Sequence, residues 1–177
     1  MQSKSGTRVS RRAFLATSAA ASAIVISGGA IINPSEAWGY EVKALKPETM
    51  RTLVQMARDI YPHDRVADRY YALAVKAYDE GAVDDAKMRS LIEDGIARLN
   101  ALARSKNGVD YIDVGWESDR AAVLRDIQAD PFFQKIRSGL ITGLYNNKEV
   151  WPIFGYEGES FSKGGYINRG FNDLDWL

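Results

Sequence analysis

Residues 84–108 read DDAKMRSLIEDGIARLNALARSKNG, and their periodicity decides the fold. Over 84–106, Met88, Leu91, Ile92, Ile96, Leu99 and Leu102 recur at three- and four-residue steps, which turns them onto one face of a helix. Asp84 and Asp85 suit its positive start, and Asn107-Gly108 closes it with a pair that tolerates positive φ. A helix with one apolar face needs other apolar faces to cover it, and the flanking sequence supplies them.

Upstream, Pro47 fits a first helical position and Glu48 the first turn. Met50, Leu53, Val54, Ala57, Ile60 and Tyr61 then share a face until Pro62 stops the run. After the turn His63-Asp64-Arg65, residues 66–79 align Tyr70, Tyr71, Ala74, Val75 and Tyr78, and Gly81 is expected to end that helix. Downstream, Tyr111-Ile112-Asp113-Val114 alternates like a strand but is too short and solitary to be more than a connector. Ser118 or Asp119 is expected to cap a fourth helix with Ala122, Leu124 and Ile127 inward. Asp130-Pro131 should cap and start a fifth, carrying Phe132, Phe133, Ile136, Leu140, Ile141 and Leu144 until Asn146-Asn147 breaks it. The expectation is an all-α fold, a small bundle of about five helices over residues 38–150 with a long irregular carboxyl-terminal tail over 151–177.

The tail holds seven of the chain's 19 aromatic residues and five of its 15 glycines, with no helical period. It is too glycine-rich for helix and too aromatic for a solvated coil, so its rings either cover the bundle or dock on another protein. Trp151, Phe154, Tyr156, Tyr166, Arg169, Phe171 and Trp176 are the candidate partner-interface residues.

Residues 1–37 have a different character. Lys4, Arg8, Arg11 and Arg12 precede an uncharged stretch rich in Ala, Ser, Ile, Val and Gly, which is the order of a signal peptide. Ser10-Arg11-Arg12-Ala13-Phe14-Leu15 matches the twin-arginine address, with Arg11, Arg12, Phe14 and Leu15 as the recognised side chains. Pro34 ends the apolar stretch, and Ser35-Glu36-Ala37 offers small-x-small cleavage after Ala37. The alternative is an uncleaved anchor, since about 20 apolar residues can span a bilayer. Its Ser, Thr and Gly content favours removal and a periplasmic product.

Without that leader the chain carries 19 Lys and Arg against 22 Asp and Glu, a mild acidity that argues against a nucleic-acid or anionic-membrane surface. Its length suits one core. The absence of cysteine excludes disulfides, thiolate zinc sites, iron–sulfur ligation and covalent haem attachment. The only histidine, His63, stands near Asp59, Asp64 and Asp68, which admits a general base or metal ligand in a small exported enzyme, but the spacing matches no ligand pattern and a turn histidine explains it as well. Gly164-Gly165 with Arg169 and Gly170 lacks the following helix start that an anion cradle uses. No nucleotide-binding, nucleophile-elbow or zinc-protease motif occurs, so no catalytic, cofactor-binding or metal-binding residue is assigned.

The twin-arginine leader, Tyr61-Pro62-His63-Asp64, and the block from Leu144-Tyr145-Asn146-Asn147 through Trp151, Phe154-Gly155-Tyr156-Glu157-Gly158, Gly164-Gly165-Tyr166 and Asn168-Arg169-Gly170-Phe171 together resemble the gluconate 2-dehydrogenase subunit 3 family, over essentially the whole chain. The resemblance implies a noncatalytic small subunit without a cofactor of its own. Its partner would be a large FAD-dependent dehydrogenase subunit of the glucose-methanol-choline type, often with a cytochrome c subunit. It also implies a role in assembly and twin-arginine export of the flavoprotein, which folds around FAD before crossing. A free-standing exported binding module, its tail capping its own helices, is the other non-enzymatic expectation.

Overall fold

The computed structural model describes residues 42–168 and Phe171. The chain divides into two units, Met1–Tyr40 and Glu41–Leu177. Arg11, Arg12, Phe14, Leu15 and Ala37 lie outside the described residues, as do Arg169 and Trp176.

Among the described residues the second unit is all-α. Its five helices are α1 (Pro47–Ile60), α2 (Asp68–Asp84), α3 (Ala86–Asn107), α4 (Glu117–Asp126) and α5 (Pro131–Tyr145), with short 3-10 turns at Tyr111–Asp113, Trp151–Phe154 and Phe161–Lys163. No helix among the described residues is long and apolar enough to cross a membrane.

Helix α1 packs against all four others. Its central place explains why Met56, off the expected stripe, is as buried as Leu53, and why Thr49 and Thr52 are buried as well. Both hydroxyls are satisfied, Thr52 donating to Glu48 O at 3.0 Å and Thr49 to Glu93 Oε2 at 2.8 Å. Because Lys46, which precedes α1, offers no side-chain cap, Glu93 of α3 also takes the Lys46 N–H at 2.8 Å. One helix thus caps the start of another, at the end where the dipole favours a carboxylate.

Helix α2 corrects one expectation, since it runs through Gly81 to Asp84. Ala82 is fully buried on its inner face, and Arg89 of α3 donates to Ala82 O at 3.2 Å through Nε and at 2.9 Å through a terminal nitrogen. These contacts hold a last turn whose carbonyls would otherwise be orphaned. Asp85 then starts α3, accepting from Lys87 N at 2.9 Å and Met88 N at 3.1 Å. Within α3, Ile92, Ile96 and Leu99 are buried, whereas Met88, Leu91 and Leu102 are half-buried.

Helix α5 begins as expected, with Asp130 accepting from Phe132 N at 2.7 Å ahead of Pro131. The α4 cap does not. The residue before its first turn is Trp116, with no side-chain cap, and Ser118 and Asp119 lie inside the helix, where Asp119 still suits the dipole. Val123 and Leu124 are its buried residues, and Ile141 of α5 is half exposed rather than inward.

Helices α2 and α5 close on each other at Gly139 and Gly143. A methyl group at Gly139 would sit 1.9 Å from the Tyr78 hydroxyl, and one at Gly143 would sit 2.9 Å from Ala74 O. Tyr78 uses the proximity to donate to Lys135 O at 3.0 Å. Burial pushes its hydroxyl up to about 12.

Two buried carboxylates fix the corners. Asp79, fully buried on α2, accepts the backbone N–H groups of Lys43 at 2.8 Å, Ala44 at 2.9 Å and Leu45 at 2.8 Å. Asp59, near the end of α1, accepts from Tyr111 Oη at 2.6 Å, Arg120 Nε at 2.8 Å, and Gln55 and a terminal Arg120 nitrogen at 3.1 Å each. Its side chain is 2% exposed and that of Arg120 14%. Burial, reinforced by the Asp59 carboxylate, raises the Tyr111 hydroxyl far above the ordinary tyrosine range, so it stays a donor. The connector Tyr111–Asp113 thereby becomes a clamp through its fully buried Tyr111, and no buried side-chain polar atom among the described residues lacks a partner.

Candidate partner interface

The carboxyl-terminal segment is built in two parts. In the first, Asn146 ends α5 and the chain turns so that Val150 is fully buried. The Trp151 indole N–H donates back to Tyr145 O at 2.8 Å, and Tyr156 N donates to Trp151 O at 3.0 Å. The two rings meet edge to face at 5.1 Å, and Gly158 lies against the indole, where a methyl group would come within 3.2 Å.

Phe154 packs edge-on against His63 at 4.9 Å and tilted against Tyr145 at 5.7 Å. His63 Nε2 and the Tyr145 hydroxyl are 2.7 Å apart. The His63 backbone N–H donates to Tyr71 Oη at 3.2 Å, and Tyr71 donates onward to Tyr61 O at 2.6 Å. The turn between α1 and α2 and the end of α5 are thus joined by a ring cluster that Phe154 covers. Burial lowers the His63 pKa from its ordinary value.

This is a packing role for His63. The carboxylates near it in sequence are used elsewhere, Asp59 by Arg120 and Tyr111 and Asp68 by Arg58, while Asp64 is exposed. The described residues contain no cluster of His, Asp and Glu suited to a metal ion.

The second part turns outward. Ser160 O accepts from Lys163 N at 3.0 Å and from Gly165 N at 2.8 Å, folding Phe161–Lys163 into a knuckle that Gly164 closes at φ 85°, a value that suits glycine. Phe161 stands on this knuckle 93% exposed, followed by Tyr166, Ile167 at 84% and Phe171 at 84%. Scattered apolar residues at a surface are ordinary, but four large ones within eleven positions, the first of them on a knuckle held by local hydrogen bonds, have the character of an interface.

Of the expected interface residues, Trp151 and Phe154 serve their own helices first, with Phe154 still partly exposed. Tyr156, Tyr166 and Phe171 face solvent. Phe161 and Ile167, at least as exposed as any of these, were not singled out by sequence. A signal for Phe161 exists all the same, since it is a large ring between Ser160 and Ser162 with no periodic apolar partner. Against family models, curated proteins and solved structures, nothing matches this chain.

Proposed function

We propose that the chain is the noncatalytic small subunit of a periplasmic FAD-dependent dehydrogenase complex of the glucose-methanol-choline type, and that it assists assembly and twin-arginine export of the flavoprotein subunit. The observation that carries this reading is the outward half of the tail. Phe161, Tyr166, Ile167 and Phe171 are presented to solvent from a folded helical body, as anchors for a partner would be. The twin-arginine motif at Ser10-Arg11-Arg12-Ala13-Phe14-Leu15 and the resemblance of the tail block to gluconate 2-dehydrogenase subunit 3 give the partner its class. FAD belongs to that partner, and a cytochrome c subunit would join the same complex.

The free-standing module has one observation in its favour, the docking of Trp151 and Phe154 on their own helices. Co-expression separates the two. A signal-less flavoprotein dehydrogenase encoded beside this chain should gain FAD loading, periplasmic location and activity when the chain is present. Unchanged values without it would sink the subunit reading.

A further inference from the structure

A second surface remains outside the tail. Between α4, the start of α5 and the end of α1 lies a cleft of about 710 Å³, open rather than enclosed. Its floor is apolar, formed by Ile60, Leu124 and Phe133, and Arg125 and Arg137 line it as well.

Those two arginines share one cleft, with no carboxylate of their own. Elsewhere in the bundle several cations do have a carboxylate, including Lys46 with Glu93, Arg58 with Asp68, Arg98 with Asp130, Lys106 with Asp126 and Arg120 with Asp59. Arg125 and Arg137 have neither an ion pair nor a side-chain hydrogen bond among the described residues, and both are exposed. The one carboxylate in the lining, Asp59, is already held by Arg120, Tyr111 and Gln55.

We infer that this cleft receives an acidic segment of the flavoprotein partner, one that sets a carboxylate beside a large apolar side chain. The proposal rests on the subunit reading above and gives it a second contact region, separate in sequence from the tail. Charge complementarity names the occupant. Arginine forks bind carboxylates in bidentate fashion, and an apolar floor beneath them rewards a neighbouring Leu, Phe or Trp. The open shape favours a protein segment over a small ligand, because small-molecule sites enclose most of their ligand's surface.

The test uses the full chain and the flavoprotein, with association measured at low and high salt. Arg125→Glu with Arg137→Glu should weaken association about tenfold or more and flatten its salt dependence, while the Gln pair falls between. Unchanged circular dichroism and urea midpoint would show that the variants fold. Association of the Glu pair at wild-type affinity and salt slope would overturn the cleft proposal and leave the subunit reading standing. No association by the wild-type chain would overturn both. Binding of sulfate or benzoate that depends on both arginines, with flavoprotein association untouched by the Glu pair, would make this a small-anion site and likewise overturn the proposal.

Discussion

Asp59→Ala is the substitution whose cost the structure constrains best. It removes the carboxylate from a site where Arg120 is 14% exposed and where Tyr111 has no other acceptor among the hydrogen bonds described. Breaking a buried pair by removing one member costs about 3–5 kcal/mol, and leaving a buried hydroxyl unsatisfied costs about 1–3 kcal/mol. The terms overlap because they share one carboxylate, and Arg120 keeps a bond to Val114 O at 2.8 Å, so the net loss should be roughly 4 kcal/mol. Domains of this size are stable by about 5–15 kcal/mol, and with a urea slope of about 2 kcal/mol/M the midpoint should fall by about 2 M. Helical circular dichroism through a urea series measures it. The companion variant combines Asp59→Leu, Arg120→Met and Tyr111→Phe, which removes all three polar partners and should recover most of the loss. A loss under about 1 kcal/mol in Asp59→Ala would mean that water already solvates Arg120. A triple variant no better than the single one would place the cost in packing rather than in stranded polar groups.

The remaining predictions are shorter. Because burial lowers the His63 pKa in the folded chain, the unfolded chain takes up the proton first. Stability is therefore complete above the unfolded value near 6.5 and should decline as pH falls through the folded value, and His63→Gln should flatten that decline in urea midpoints measured from pH 7.5 to 5. Gly139→Ala should cost about 1–3 kcal/mol by collision with the Tyr78 hydroxyl, and adding Tyr78→Phe should return part of it in thermal melts. Truncation after Gly158 should keep the helical fold and its melting temperature while abolishing flavoprotein association, whereas truncation after Asn146 should lower the melting temperature by exposing the ground under Val150, Trp151 and Phe154. Phe161→Ser alone should weaken association by about tenfold without moving the melting temperature.

The helices were legible where local signals agreed with the final packing. Periodicity alone found the buried Tyr70, Tyr71, Ala74, Val75 and Tyr78 of α2, and Asp130-Pro131 announced α5 because cap and first-turn chemistry are local. What escaped was set by distant partners. Gly81 reads as a stop, but Arg89 and the burial of Ala82 carry α2 past it. Asp59 reads as a neighbour of His63, yet its partner is Arg120, 61 positions along the chain. The tail's division into an inward and an outward part was equally hidden, because composition treats Trp151, Phe154 and Phe161 alike, and only the reach of Tyr145 O to the first and of His63 to the second separates them from the third.

Asp79 has a consequence for local opening. The three amides of Lys43, Ala44 and Leu45 belong to no helix, yet each ends on the same buried carboxylate. Their exchange with solvent deuterium should be slow and nearly uniform, tracking the unfolding of α2 rather than the rapid local opening usual for backbone outside regular structure. A single side chain would thereby enrol a stretch without regular structure in the cooperative unit of the helix it touches.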